Sequence, residues 1–170
     1  MTLQVGDALP DFVLPCIRGE ETVKCDRETL FGGKTAVVFA LPGAYTPTCS
    51  ASHVPGYVAQ ADALRTAGID AIYCLSVNDP FVMKAWAKDQ GALEAIQFLA
   101  DGNAAFTKAI GMDVDMGALE FGVRSRRYAM LVEDGTITEM FAEGDPLEGD
   151  PFEVSDASTM LRHVQKVNAG

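Results

Sequence analysis

The chain has 170 residues, 48% of them hydrophobic and 22% charged, enough to bury one core and too few to need a second, so a single domain over 1–170 is expected. Its 13 Lys and Arg against 24 Asp and Glu leave a formal net charge of −11, which repels phosphate backbones and anionic headgroups and argues against nucleic acid or a membrane surface as partner. No run approaches the roughly 18 consecutive apolar residues that span a bilayer, and the opening MTLQVGDALPDF has neither a basic nor an apolar leader region, so a cytoplasmic protein is expected.

In chain order, Thr35 to Leu41 (TAVVFAL) is a continuous apolar run rich in β-branched residues, the pattern of a strand buried on both faces, and Pro42 stops it. A Pro-Gly turn follows, and a helix is predicted over Ser50–Thr66. Ile69 to Val77 (IDAIYCLSV) reads as a second central strand. Asn78-Asp79 caps a helix over Pro80–Asp89, Gln97 to Ala100 is a short strand, and Ala104 to Ile110 is a helix ending at Gly111. Tyr128–Val132 and Thr136–Ala142 form strands joined by the turn Glu133-Asp134-Gly135. The Gly- and acid-rich stretch Glu143–Phe152 reads as a surface loop, and Asp156–Val167 as a last helix. Strands and helices that alternate and then give way to a hairpin describe an α/β sandwich on a mixed sheet.

Cys16, Cys25, Cys49 and Cys74 form no CxxC pair, and His53 and His163 stand apart from them. That spacing suits neither a zinc site nor a disulfide framework, and no metal or organic cofactor is expected. Cys16 and Cys25 read as small core hydrophobes. Cys74 lies inside a buried strand. Cys49 differs, because it falls in the first turn of a predicted helix, where unpaired N–H groups and the positive end of the helix dipole favour an anion.

The segment Pro42-Gly43-Ala44-Tyr45-Thr46-Pro47-Thr48-Cys49-Ser50 resembles the P-x-x-x-T-x-x-C active-site loop of peroxiredoxins, and its wording is similar to the type II, or peroxiredoxin-5-like, subgroup. The opening Val5–Phe12 (VGDALPDF) and Ser76–Phe81 (SVNDPF) with Trp86 extend the resemblance along essentially the whole chain. It implies a thioredoxin-like fold with N-terminal additions. It also implies a thiol-dependent peroxidase acting on hydrogen peroxide and alkyl hydroperoxides, with Cys49 as nucleophile, Thr46 as hydrogen-bond partner of thiolate and peroxide, and Pro42 as shield. The family's fixed cation matches Arg127, which opens the run Tyr128–Val132. Arg124 and Arg126 compete for that role, but strand alternation sends Arg126 to the opposite face from Arg127, and Arg124 falls outside the predicted strand. His53 reads as a cap or packing residue. Met112, Met116, Leu119 and Phe121 could equally form a substrate collar or a packed loop.

Acidity alone does not explain such a reaction. A free thiol titrates near about 8.5 and is about 3% thiolate at pH 7; a shift to about 6 gains roughly thirtyfold, of which falling nucleophilicity removes on the order of tenfold. The remainder has to come from holding the peroxide in line and from donors that strengthen as charge develops on the leaving oxygen.

The subgroup often carries a second cysteine near Cys74, the possible resolving residue here. A direct bond to Cys49 needs Cα atoms within about 7 Å, and helix-start and mid-strand positions make that difficult without local unfolding. The other region where relatives carry a resolving thiol, Asp150–Thr159, has no cysteine. The lack of a well-placed resolving thiol favours an external one; the resemblance implies glutathione and a glutaredoxin as the favoured route, thioredoxin as the second, and a homodimer. The competing readings are a thioredoxin-fold binding or chaperone module, which need not keep Thr46, Cys49 and Arg127 together, and a dithiol oxidoreductase, which the absence of CxxC disfavours.

Overall fold

The computed structural model describes residues 2–169; the outermost residues of the expected 1–170 domain lie outside that range. Seven strands form one mixed sheet in the order β2-β1-β5-β4-β3-β8-β9: β1 (Val13–Arg18), β2 (Glu21–Asp26), β3 (Thr35–Ala40), β4 (Ala71–Ser76), β5 (Gln97–Ala100), β8 (Tyr128–Glu133) and β9 (Thr136–Ala142). The central strands β3, β4 and β5 run parallel, and β8, β9, β1 and β2 complete the sheet antiparallel.

The unbroken apolar run of β3 follows from burial on both sides. Val37 and Phe39 face a layer built from α2 (Val54–Thr66), α3 (Pro80–Asp89) and α5 (Ala157–Ala169), whereas Ala36, Val38 and Ala40 face Leu30, Phe31, Tyr73 and Phe106. With no polar face to alternate, both sets are apolar. Phe39 stacks on Tyr57 of α2 with ring centroids 4.0 Å apart, which fixes α2 against the sheet directly beneath the loop that precedes it. The α3 start is set as its sequence demands: Asp79 accepts from the Val82 amide, and Pro80 occupies the first turn, where a missing N–H costs nothing.

The thioredoxin-like sandwich with N-terminal additions is the observed arrangement, and the chain adds elements the sequence pattern did not disclose. β1 and β2 form an edge hairpin, followed by the short helix α1 (Arg27–Phe31). Pro15 conceals this hairpin, since a proline argues against a strand. It is tolerated because β1 pairs with β5 only through Cys16 and Ile17, so at Pro15 the strand has β2 as its one neighbour. After α4 (Ala105–Ala109), β6 (Asp113–Asp115) and β7 (Val123–Ser125) make a separate two-stranded ribbon whose connection carries Met116 to Phe121. This ribbon brings Arg124 into a strand, β7, where none was expected.

Candidate active site

β3 ends at Ala40, and the chain turns through Pro42–Thr46 into a helix that opens at Pro47. From Cys49 to His53 that helix is wound as a π turn before it continues as α2, so the element predicted over 50–66 starts earlier and bulges at the cysteine. A π turn widens the backbone and re-aims its side chains, a feature common at functional positions. Here both Cys49 and His53 point inward and have no exposed surface.

Side chains of β4, α3 and the link between them hold the turn and the helix start. The Ala44 amide donates to Asn78 Oδ1 at 3.0 Å, and Ser76 Oγ donates to the same oxygen at 2.6 Å. The Tyr45 hydroxyl donates to Asp89 at 2.7 Å, with Tyr45 in the left-handed region at φ 66°. Trp86 Nε1 donates to Ser50 Oγ at 3.0 Å, beside the cysteine. The Asn78-Asp79 pair is thus more than a helix cap: Asn78 anchors the loop and Asp79 caps α3.

Arg127 is the cation at the sulfur. Its guanidinium is 1% exposed, with Nη2 donating to Cys49 Sγ at 3.3 Å. The same nitrogen bridges both Asp150 oxygens at 3.0 and 3.1 Å, Nε reaches Asp150 at 3.3 Å, and Nη1 donates to His53 Nδ1 at 2.9 Å. Arg126 donates its amide to Met112 O instead, and Arg124 donates to Pro42 O at 3.3 Å and Phe121 O at 2.9 Å. Of the three arginines the sequence offered, the structure brings Arg127 to Cys49.

Two members of this cluster escaped the sequence reading. His53 is not a cap or simple packing residue. An arginine can only donate, so Nδ1 accepts from Arg127 and the proton sits on Nε2, which donates to Ser155 O at 3.1 Å. Burial, then the Arg127 charge, depress the His53 pKa to about 3, so the ring is neutral across the physiological range. Its i+4 spacing from Cys49 was the available signal. Asp150 had none: it sits at φ 46° in the loop expected to be a solvated surface turn. That loop is pinned by Glu143, which accepts the amides of Glu153, Val154 and Ser155 and the Ser155 hydroxyl. These bonds outweigh the burial that opposes them and hold Glu143 below the usual carboxylate range.

Thr46 and Pro42 both lie on the turn that leads into the Cys49 helix and both line the cavity beside it. Thr46 Oγ1 donates to Gly43 O at 2.7 Å, so its proton is engaged and its lone pairs remain free to accept. The hydrogen bond from Thr46 to the thiolate is not formed among the described residues. Pro42 is buried and lines a cavity of about 290 Å³ shared with Thr46, Met116, Leu119, Phe121 and Asp150. The collar residues therefore divide: Met116, Leu119 and Phe121 line the cavity, and Met112 packs into the core on the other side of the sheet.

Cys74 lies mid-strand in β4, flanked by Phe39 of β3 and Phe98 of β5, and is fully buried. Burial, then the neighbouring Cys49 charge, push its thiol well above the ordinary range. Cys16 and Cys25 lie in the edge hairpin itself, on β1 and β2, far along the sheet from β3.

Comparison with known proteins gives a consistent result. The Redoxin family profile matches residues 4–161. A peroxiredoxin of Synechocystis is 50% identical over 145 residues, covering 84% of this chain and 76% of that protein. The hybrid peroxiredoxin hyPrx5 of Haemophilus influenzae is 45% identical over 164 residues, 96% of this chain and 67% of its own. Among solved structures, reduced Prx3 from Vibrio vulnificus in complex with hydrogen peroxide superposes with a TM-score of 0.88 at 45% identity, covering 96% of this chain and 99% of that one.

Proposed function

The chain belongs to the peroxiredoxin family and is a thiol peroxidase, and on that premise we propose that it reduces hydrogen peroxide and alkyl hydroperoxides through Cys49 and is recycled by glutathione and a glutaredoxin. The observation that carries the reading is the Arg127 donor 3.3 Å from Cys49 Sγ, with Asp150, which the same guanidinium holds, lining an adjoining apolar cavity. The thiolate attacks the terminal peroxide oxygen, an S–O bond forms as the O–O bond breaks, and the departing alkoxide takes up a proton to leave as an alcohol or water. Arg127 serves thiolate and developing oxyanion alike, and Thr46 accepts from the peroxide to hold its oxygens in line with sulfur.

The sulfenic acid then condenses with a second thiol and releases water. An external thiol is favoured because Cys74 sits between two paired strands, and its raised pKa starves it of the thiolate that would attack. Thioredoxin acting through Cys74 is the second reading, supported by the placement of both thiols in the same core layer. Four free cysteines fit a reducing compartment such as the cytoplasm. Leu119, exposed on the cavity wall, and Leu147, exposed in the loop after β9, favour a homodimer, to be checked by sedimentation.

Stopped-flow mixing with hydrogen peroxide tests the assignment: the protein should oxidise fast, and Cys49→Ser should abolish the reaction. An equally fast Cys49→Ser variant would refute it. Intact mass after one equivalent of peroxide with glutathione decides the reductant. A glutathione adduct supports the external route, and loss of two hydrogens from the monomer supports Cys74.

A further inference from the structure

Arg124 is the unexplained cation of this region. It is half-buried in a strongly acidic protein, yet it takes part in none of the ion pairs among the described residues. Its donors go to backbone carbonyls: Nε to Phe121 O at 2.9 Å and Nη1 to Pro42 O at 3.3 Å, with the guanidinium 5.3 Å over the Phe121 ring. A charge given to carbonyls in place of carboxylates stays available to the site it faces.

The neighbour that admits it is Gly43. A Cβ on Gly43 would lie 2.5 Å from Arg124 Nη1 and 3.6 Å from its Cζ, and 3.5 Å from Thr46 Cγ2. Gly43 is not among the residues of positive φ, so its backbone conformation does not call for glycine; the space does. Its carbonyl in turn accepts the Thr46 hydroxyl. The guanidinium, the Gly43 notch and the Thr46 hydroxyl are consecutive links leading to the peroxide position.

We infer that Arg124 is a positioning residue of the site: seated in the notch that Gly43 leaves open, it clamps the Pro42 end of the Pro42–Thr46 turn and adds a fixed positive charge to the loop that leads to Cys49. Asn78 and Asp89 tie the middle of this turn; Arg124 supplies the tie at its start. Burial works against the Arg124 charge, and the nearby Cys49 sulfur, when ionised, supports it. This inference rests on the peroxidase reading above and deepens it, since neither the loop motif nor Arg127 accounts for Gly43.

The test uses Arg124→Gln, Arg124→Lys, Gly43→Ala and the double variant Gly43→Ala with Arg124→Gln, each measured by the rate of oxidation with hydrogen peroxide, its pH profile and thermal unfolding. Because a partly held turn misplaces the Thr46 oxygen by a fraction of an ångström, Arg124→Gln should slow oxidation about tenfold and move the acid limb of the profile to higher pH. Arg124→Lys should return the limb toward its original position while recovering only part of the rate, since one ammonium does not reproduce a fork held by two carbonyls. Gly43→Ala should leave unfolding nearly unchanged, because the clashing atom is the end of a flexible side chain, and still slow oxidation about tenfold by ejecting the guanidinium.

The double variant should be no slower than either single one, about tenfold in place of the roughly hundredfold that independent effects would multiply to. Multiplying effects, or an Arg124→Gln rate within twofold of the parent with an unmoved profile, would overturn the inference. Should Gly43→Ala fail to fold, Arg124→Gln against Arg124→Lys decides it alone. A parent protein inert to peroxide would instead overturn the peroxidase reading, so the two failures are distinguishable.

Discussion

Replacing Arg127 with lysine separates charge from geometry at the sulfur. The guanidinium contacts three groups at once: Cys49 Sγ at 3.3 Å, His53 Nδ1 at 2.9 Å and Asp150 at 3.0 to 3.3 Å. A lysine ammonium keeps the charge, but its donors radiate from one atom and cannot span a sulfur, an imidazole and a carboxylate arranged around a planar fork. The partner most exposed to loss is His53, which is fully buried and would keep an acceptor with no donor, a cost of about 1–3 kcal/mol in stability. The kinetic loss is larger. A preorganised donor aimed at a developing oxyanion contributes about a hundredfold to a thousandfold, so Arg127→Lys is expected to slow Cys49 oxidation at least about a hundredfold, close to Arg127→Gln. Trp86, the one tryptophan, bonds Ser50 beside the cysteine and supplies a fluorescence signal for stopped-flow mixing over a series of peroxide concentrations. A lysine variant within about threefold of the parent would show that a point charge suffices and that the fork geometry is irrelevant to the rate.

Thr46 offers a paired comparison by the same assay. Thr46→Val removes the oxygen that accepts from the peroxide and is expected to cost about a hundredfold, whereas Thr46→Ser retains it and should stay within about tenfold, since removing a positioned polar contact is worth far more than removing a methyl. His53 sets a pH dependence of stability. Its pKa is about 3 when folded, against an ordinary value of 6.5, so between these limits the unfolded chain binds the proton the folded one refuses, and stability falls as pH drops. Between about pH 5.5 and 4 this contributes a slope of about 1.4 kcal/mol per pH unit. Urea unfolding at several pH values should show His53→Gln shallower by that amount; equal slopes would place the His53 proton elsewhere.

The parts legible in the sequence were those written in short-range code. The apolar run Thr35–Leu41, the cap at Asp79, the hairpin turn after Glu133 and the loop around Cys49 each state their structure within a dozen residues, and the α/β sandwich on a mixed sheet follows from them. What escaped depends on distant partners. Pro15 reads as a strand breaker until one knows which stretch of β1 lacks a second neighbour. Asp150 reads as one more acid in a loop until Glu143 folds that loop back over Arg127. Thr46 lies at the motif position as expected, yet whether its hydroxyl donates to sulfur or to Gly43 O is a matter of angles no spacing encodes.

The burial of Cys49 sets the two halves of the cycle in opposition. Cys49 has no exposed surface, and the cavity of about 290 Å³ that a peroxide would enter is lined by Pro42, Thr46 and Asp150 and not by the sulfur itself; exclusion of water there strengthens the Arg127 contact to Cys49. A protein or tripeptide thiol cannot enter by the same route. Reduction therefore requires the site to open, and the bonds resisting that opening are specific: the bridge from Asp150 to Arg127, the four donors gathered by Glu143, and the Trp86 bond to Ser50. Oxidation of Cys49 to a neutral sulfenic acid removes the anion that Arg127 held while leaving the Asp150 ion pair in place. The loop over the site thus stays attached to the arginine after the sulfur has lost its charge, and the π-wound turn from Cys49 to His53 keeps its own ties, His53 to Arg127 and to Ser155 O and Ser50 to Trp86, so exposing the sulfur costs bonds in both segments.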